Sequence, residues 1–207
     1  MKNYADNYIQ SIEMGLRKSI YRIDGKNFNS HLFFDKLINF TRNVQEKNGR
    51  LFFFGNGASA SFSNHMALDW SKNGGILAFS LSDSSMLTAL ANDYDYEDCF
   101  LEYLKINQPT PNDLIITTSS SGNSPNVVNV LKYCSENQIK TFGLSGLNQE
   151  NKTEQLANYS LFVPMRTYGM VECIHQVFHH LMLDKFMKVE EWDKTESQNM
   201  NSKSFKL

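Results

Sequence analysis

The first fifty residues place apolar side chains at helical spacing. Steps of three and four separate the apolar positions of two stretches, Ile9, Ile12, Leu16, Ile20 and Ile23 in the first and Phe33, Leu37, Phe40 and Val44 in the second. Such spacing puts each set on one face of an α-helix, where it forms a stripe to be buried. Residues 1–50 are therefore predicted to be helical.

Beyond residue 50 the period changes, and short apolar runs alternate with amphipathic stretches. The runs that predict buried strands are RLFFFGNGAS, NGGILAFSLSD, NDLIITTSSSGNS, IKTFGLSG and YSLFVPM. Helices are predicted at SMLTALAND, SPNVVNVLKYCSENQ and MVECIHQVFHHLMLDKFMKVEEW. Strands that are apolar on both faces and alternate with helices indicate a parallel sheet covered on both sides. The chain is therefore predicted to form an α/β fold.

The boundaries of some elements carry their own signals. Ser84 or Ser85 is expected to cap the helix SMLTALAND, and Pro125 is expected in the first turn of the next predicted helix, where proline is tolerated. Residues 191–207 are polar and lack a period, so a flexible tail is predicted there. Residues 1–190 are then expected to form a single domain.

Composition narrows the classes of partner and compartment. With 207 residues, 41% of them hydrophobic, and a net charge of −2, the chain has material for a core but no basic field for nucleic acid or an anionic membrane. The N-terminus is too polar for a secretory signal. Three scattered cysteines form neither a disulfide framework nor a metal motif. We expect a cytoplasmic protein with no membrane or nucleic-acid partner.

Two small-residue turns, GNGAS and SSSGNSPN, follow predicted strands. Because the carboxyl ends of parallel strands share one edge of a sheet, both turns are expected on the same rim, where ligands bind in such folds. Glycines, serine hydroxyls and the N–H groups of a following helix can hold an anion. The turns contain no lysine or arginine, which suits the phosphate of a small molecule better than a nucleotide triphosphate. Simple helix capping is the alternative.

Ionisable side chains form two clusters on predicted helices. His65 and Asp69 are four residues apart and share a helix face, which allows either a local hydrogen bond or a functional pair. The stretch VECIHQVFHH holds three of the chain's five histidines. Helical geometry alone favours His175 and His179 as partners of Glu172. A functional role is the better interpretation of this second cluster as a whole.

Four segments, GNGASASFSNHMALD, SMLTALANDYDYEDCF, TTSSSGNSPNVV and TFGLSG, occur in the order found in sugar isomerase (SIS) domains. More narrowly, they resemble the phosphoheptose isomerase family, which converts sedoheptulose 7-phosphate to D-glycero-D-manno-heptose 7-phosphate. The resemblance spans about residues 5–190. It implies a three-layer sandwich with a five-stranded parallel sheet, and a homotetramer that is built by the N-terminal helices and has active sites shared between subunits.

The resemblance also implies which side chains contact a sugar-phosphate substrate. The phosphate loop falls on serines of the second turn, and further contacts fall on the first turn and on an Asn-Asp pair. These residues are Ser119, Ser120, Ser121 and Ser124, then Asn56, Gly57, Ala58 and Ser59, then Asn92 and Asp93. Ala58 departs from the family, which has glycine there.

The metal ligands of the family fall on His65, Asp69, Glu172 and His180, so the resemblance selects His180 over His179. It implies one Zn²⁺, or another divalent ion, per active site. Asp69 stands where the family has Glu, and Glu172, also assigned to substrate binding, stands where it has Gln. Asp69 is the expected base of an enediol mechanism, and His180 is expected to move protons at the substrate oxygens. The product would enter bacterial surface glycan synthesis, in lipopolysaccharide or capsule.

Two other functions fit the same resemblance. Some SIS proteins are non-catalytic tetrameric scaffolds that bind a replication initiator, and altered active-site residues would permit that role. Ligand-type residues at all four metal positions argue against it. An isomerase for a different sugar phosphate is the other alternative. A phosphosugar-sensing regulator is disfavoured because no helix-turn-helix segment is evident.

Overall fold

The structure is a computed structural model that describes residues 3–190. The predicted tail, residues 191–207, lies outside the described residues. Eight helices form within the described range. They are α1 Tyr4–Lys18, α2 Ser30–Glu46, α3 Ala58–Asp69, α4 Ser84–Asp93, α5 Cys99–Ile106, α6 Pro125–Glu136, α7 Lys152–Leu156 and α8 Tyr168–Met187. Every helix that the pattern predicted beyond residue 50 is present, and α5 and α7 are additions.

Seven strands of the described chain form one sheet. They are β1 Ile20–Ile23, β2 Lys26–Phe28, β3 Leu51–Gly55, β4 Ala78–Ser80, β5 Leu114–Ser119, β6 Lys140–Gly146 and β7 Tyr159–Val163. The strand order is β2-β1-β7-β6-β5-β3-β4. The five strands from β7 to β4 pair in parallel, as the α/β prediction requires. The antiparallel pair β2-β1 extends the edge beside β7.

The extra pair corrects the prediction that residues 1–50 are helical throughout. Helix α1 ends at Lys18, and Ile20 and Ile23 belong to strand β1 instead of the helical stripe. The cause is the two-residue turn Asp24–Gly25, in which both residues have positive φ, 46° and 76°. Asp-Gly in this conformation closes a tight β-hairpin whose twist matches that of its strands. The local turn therefore overrides the apolar spacing.

The sheet separates two apolar cores. Side chains of successive strand residues point to opposite faces, so Phe53 and Phe142 pack beneath α2, α3 and α8, whereas Phe52 and Ile115 face α5 and α6. All four are fully buried or nearly so. The first core receives the partly buried residues Ile12 and Leu16 of α1, but Ile9 of the same stripe is 64% exposed.

Helix α4 shows how a cap outside the expected pair is used. The residue before the helix, Asp83, accepts a hydrogen bond from the backbone N–H of Met86 at 2.8 Å. The predicted caps Ser84 and Ser85 lie inside the first turn. An aspartate at this position satisfies a free N–H group, and its negative charge is stabilised by the positive end of the helix dipole.

Within residues 3–190, no helix combines the length and apolarity needed to cross a bilayer.

The hydrogen bonds of Asp113 at the starts of two strands lead to a prediction about stability. Asp113 is almost fully buried, and it accepts from the Arg50 backbone N–H at 2.7 Å and from the Arg50 guanidinium at 2.9 Å. These bonds join the starts of β3 and β5. Replacing Asp113 by Ala leaves buried donors unpaired and is expected to lower the free energy of unfolding by about 3 kcal/mol, measured by urea denaturation. Glu102→Ala breaks the peripheral pair with Lys105 and should cost less than about 1 kcal/mol. Equal losses would contradict the assignment.

Candidate functional site

The turn after β5 gathers three serine hydroxyls at the sheet rim. Strand β5 ends at Ser119, and α6 begins at Pro125, as expected for a proline at the first helical position. The Ser119 Oγ atom lies 3.0 Å from Ser124 Oγ and 3.5 Å from Ser121 Oγ. Hydroxyls that converge in this way beside a helix N-terminus form an arrangement that can hold a phosphate. Ser120 is buried in the same turn, and its backbone carbonyl accepts from Gly146 N–H.

Helix α7 supports this turn from behind. Gly122 has φ of 66°, and a Cβ there would overlap the side chain of Asn151, so only glycine fits. The Gly122 carbonyl accepts from the backbone N–H and the hydroxyl of Thr153, at 2.9 and 3.0 Å. Lys152 N–H donates to Asn123 Oδ1 at 3.0 Å. The serine loop is therefore held in one shape by an element that the sequence pattern did not predict.

The first turn, residues 56–59, joins the serine loop through side-chain amides. Gly57 precedes α3 with φ of 58°, and Ala58 and Ser59 form the first residues of that helix. Asn56 and Asn126 exchange two hydrogen bonds, at 2.9 and 3.0 Å, across the two turns. Asn126 was missed as a site residue, although it closes the quoted SSSGNSPN motif. The two turns share one rim, as predicted.

The predicted Asn-Asp pair lies at the end of α4. Asn92 and Asp93 are exposed, and Asn92 donates to Asp93 Oδ1 at 3.0 Å. The segment that follows reaches the first turn through Tyr96, whose hydroxyl donates to Asn56 Oδ1 at 2.9 Å. No direct bond between the Asn-Asp pair and the serine loop is found among the described residues.

Three ionisable side chains from α3 and α8 form a tight cluster, the histidine–aspartate cluster, which consists of His65, Asp69 and His180. Their ligand atoms all lie within 4.8 Å of one another. The distance from His65 Nε2 to Asp69 Oδ2 is 3.1 Å, and the rings of His65 and His180 have centroids 5.4 Å apart. The pairing of His65 and Asp69 is therefore part of a larger cluster, and His180 is the α8 histidine that joins it.

Packing at the end of α3 explains why the cluster forms. Helix α3 ends at Asp69 and passes into a wider π-type turn, Trp70–Gly74. The Trp70 ring is fully buried and packs against Phe186 of α8, with ring centroids 4.9 Å apart. This contact holds the C-terminal part of α3 beside α8. Asp69 is itself 6% exposed, whereas His65 is on the exposed side of the cluster.

Glu172, the fourth predicted ligand, is not in this cluster. It lies eight residues before His180, which is about 12 Å along the helix axis. Gln176 lies between them, and its Nε2 atom is 2.8 Å from His180 Nε2. The other amide atom, Oε1, is buried and has no hydrogen-bond partner among the residues that the structure describes. Gln176 belongs to the α8 stretch that the sequence singled out, but the sequence left its role open, together with those of His175 and His179.

The remaining histidines of α8, His175 and His179, face the sheet. Both are fully buried or nearly so, and burial lowers the pKa of His175 to about 4 and that of His179 to about 3. Electrostatic repulsion from the neighbouring imidazoles of His175 and His180 lowers the pKa of His179 further. Both rings are therefore neutral near pH 7. Helical spacing had favoured them as partners of Glu172, but the fold places them against the strands.

The donor set of the histidine–aspartate cluster fits a divalent metal. Two imidazole nitrogens and one carboxylate oxygen are the ligand types of catalytic zinc sites, which keep a further position open. The buried oxygen of Gln176, which has no hydrogen-bond partner within residues 3–190, lies beside this set. His180 and Gln176 also line a groove of about 1460 Å³ between α8 and the N-terminal elements. Both cationic and acidic side chains line this groove, and Lys185 pairs there with Asp35 at 2.9 Å.

Comparisons with known proteins identify the family to which the chain belongs. The family described as SIS domain matches residues 33–146. The phosphoheptose isomerase of Helicobacter pylori (strain Shi470) is 34% identical over 145 residues, which cover 67% of this chain and 74% of that protein. The phosphoheptose isomerase of Nitratidesulfovibrio vulgaris (strain DSM 19637 / Miyazaki F) is 35% identical over 140 residues, covering 64% and 66%.

A solved structure supports the fold over a longer range. The structure of a phosphoheptose isomerase from Neisseria gonorrhoeae superposes with a TM-score of 0.75 at 22% identity, covering 90% of this chain and 96% of that chain. At this level of identity the match establishes the shared fold. The SIS-type α/β prediction is therefore confirmed, with the β1-β2 hairpin added to the five parallel strands.

The burial of His175 predicts how the free energy of unfolding depends on pH. The folded-state pKa of His175, about 4, lies below the ordinary value of 6.5, so below pH 6.5 the unfolded chain binds a proton that the folded chain excludes. Stability is therefore fully present above about pH 6.5 and should fall as pH is lowered toward 4. His175→Leu should reduce the slope of unfolding free energy against pH between 6.5 and 5, by up to about 1.4 kcal/mol per pH unit. Val177→Ala, an exposed change on the same helix that involves no titratable group, should leave the slope unchanged. An unchanged slope in His175→Leu would refute the prediction.

Proposed function

The chain belongs to the phosphoheptose isomerase group of the SIS domain family and is a phosphosugar isomerase, and we propose that it converts sedoheptulose 7-phosphate to D-glycero-D-manno-heptose 7-phosphate. The observation that carries the proposal is the convergence of His65, Asp69 and His180. These side chains supply a base, a proton carrier and metal-ligand atoms in one cluster. We propose further that the reaction serves bacterial surface glycan synthesis, in lipopolysaccharide or capsule, in the cytoplasm.

The serine loop supplies the binding part of the mechanism. Ser119, Ser121 and Ser124 present hydroxyls at one point of the rim, and the N-terminus of α6 adds backbone donors. Neutral donors of this kind hold a phosphate dianion without a permanent positive charge. Binding at the phosphate end restricts the rest of the sugar and raises the probability that its first two carbons meet the catalytic groups.

Asp69 and His180 carry the proton transfers in this proposal. Aldose–ketose isomerisation removes a proton from one carbon and returns it to the neighbouring carbon through an enediol. Asp69 acts as the base at carbon, because it is the carboxylate of the cluster and is held near His65. His180 moves a proton between the two substrate oxygens. The aspartate is one methylene shorter than the glutamate of the family, so the substrate must approach α3 more closely.

A divalent metal, Zn²⁺ or a similar ion, is proposed as the cofactor, with one ion per active site. His65, Asp69 and His180 would hold it, and when bound it would polarise the substrate carbonyl. We assign the fourth protein contact to Gln176 in place of Glu172. The amide nitrogen of Gln176 already lies 2.8 Å from a ligand atom of the cluster, and no described residue bonds to its buried oxygen. This exchange removes the extra negative charge that Glu172 would bring.

A homotetramer with shared active sites is supported by two features of the single chain. Asp69 lies eleven residues after Ala58, about 16 Å down α3 from the rim that carries the serine loop. A substrate held by both ends would span this distance more easily if a second copy supplied one of them. In addition, Tyr4 and Ile9 of α1 are 81% and 64% exposed, as expected for a helix that packs against another copy.

The assignment of Asp69 as the base predicts a loss of turnover when its carboxylate is replaced. Purified protein is expected to turn over sedoheptulose 7-phosphate, and Asp69→Asn should lower kcat by about 10²- to 10⁴-fold because the amide cannot accept the carbon-bound proton. Glu136→Gln, an exposed change at the far end of α6, should keep kcat within twofold. Turnover of a different sugar phosphate would redirect the substrate assignment. Normal turnover by Asp69→Asn would remove Asp69 from the base role, and the absence of both metal and turnover would favour a scaffold.

The assignment of Gln176 as a metal contact predicts a loss of zinc affinity when its amide is removed. Gln176→Leu is expected to weaken zinc affinity by about 10-fold or more, because it removes an oxygen beside the ligand set. Glu172→Gln, one turn earlier on the same helix, is the matched control and should change affinity less than twofold. Competition with a chelating dye measures both values without reference to turnover. A large loss for Glu172→Gln with none for Gln176→Leu would restore the assignment made from the sequence.

A further inference from the structure

Two histidines of α8 have no part in the proposed proton transfers. His175 and His179 are one helical turn apart, and both rings are buried against the sheet, with exposures of 0% and 1%. They lie on the same helix as His180 and Gln176. Any displacement of this helix relative to the strands would therefore move the histidine–aspartate cluster as well.

The contacts of these two rings end at neighbouring strands. His175 Nε2 donates to the carbonyl oxygen of Ser145 in β6 at 3.0 Å. His179 Nε2 lies 2.9 Å from Thr118 Oγ1 in β5. In the sheet register Ser119 is paired with Ser145, so the two contacts meet the strands within one residue of the same pair.

The serine loop leaves the sheet at this pair. Ser119 is the last residue of β5 and the first serine of the loop. On the opposite side, the hydroxyl of Ser145 accepts from Asn151 Nδ2 at 3.1 Å, and Asn151 fills the space beside Gly122. The base of the serine loop is therefore held by α8 on one face and by the start of α7 on the other.

The cost of these histidines in stability argues for a role beyond packing. The Nδ1 atoms of both rings are buried, and neither has a hydrogen-bond partner in the described part of the chain. A buried polar atom that stays unpaired is unfavourable, and apolar side chains of similar size would fill this space at no such cost. What an apolar contact would not supply is a directional bond that sets the position of a strand end.

We propose that His175 and His179 are positioning residues that fix the base of the serine loop against α8, so that the loop presents its hydroxyls to a phosphate in one geometry. The inference rests on the proposed function only in taking the serine loop as the phosphate site. If the proposal is right, loss of the hydrogen bond between His179 and Thr118 weakens anion binding at the serine loop. Neither of these two side chains is itself assigned to bind the phosphate.

The test uses the full-length protein and inorganic phosphate as the probe, with affinity measured by calorimetry. Thr118→Val removes the bond to His179 at nearly constant volume and should weaken phosphate binding about three- to tenfold. Thr117→Val is the matched control, because the Thr117 hydroxyl is buried on the same strand with no hydrogen-bond partner in the part of the chain described here. It should leave phosphate affinity within 1.5-fold of wild type, on the order of measurement error.

The double variant Thr118→Val with His179→Leu separates positioning from stability. Replacing both partners by apolar groups should recover much of the melting temperature that Thr118→Val loses, because no polar atom of the pair remains unpaired. Phosphate affinity should stay weak, since the directional bond is still absent. His175→Leu should weaken phosphate binding in the same way, through the end of β6.

Each result decides the inference. Wild-type affinity in Thr118→Val, or an affinity in the double variant that recovers together with the melting temperature, overturns the positioning role. Failure of the wild-type protein to bind phosphate would instead overturn the phosphate assignment of the serine loop. Weak binding in Thr118→Val and in the double variant, with normal binding in Thr117→Val, supports the role of the two histidines.

Discussion

The packing of α8 across the sheet is the contact on which the arrangement of the site depends. One face of this helix is buried over residues from Val171 to Phe186, and its contact with Trp70 holds the end of α3 in place. The same packing directs His180 toward α3 and directs His175 and His179 toward the strands. A single helix therefore relates the ionisable cluster to the rim of the sheet, because a helix moves as one body.

Charge distribution within the site follows from this packing. The cluster contains one carboxylate, Asp69, and an uncharged amide, Gln176, so a bound divalent cation would keep a net positive charge toward the substrate oxygens. A second carboxylate would have reduced that charge and opposed the electron density that develops at the oxygens. In the proposed reaction, neutral serine hydroxyls and a helix N-terminus would hold the phosphate end of the substrate. The two ends of the substrate would then meet separate kinds of group.

Much of the fold and part of the site could be predicted from local sequence signals. The five apolar runs predicted the parallel strands, and Pro125 predicted the start of α6, because burial on both faces and a fixed φ angle leave clear patterns. The β1-β2 hairpin was missed since the apolar residues Ile20 and Ile23 continue a helical spacing by chance, and the Asp24–Gly25 turn decides the outcome. The contact of Asn126 was missed and the role of Gln176 stayed open, because the partner of an uncharged amide depends on tertiary packing.

Local sequence signals were enough to predict the layered α/β fold, the two small-residue turns at one rim and the ligand types available on α3 and α8. These properties follow from hydrophobic period, turn chemistry and residue type, which are local. The family resemblance had already selected His180 as the partner of His65 and Asp69, and the packing of α8 against α3 brings the three together. The same packing places Gln176 beside His180 and bonds His175 and His179 to the strand ends, which no local signal indicated. Such choices depend on the rotation and axial position of one helix against its neighbours, which are set by packing between residues far apart in the chain.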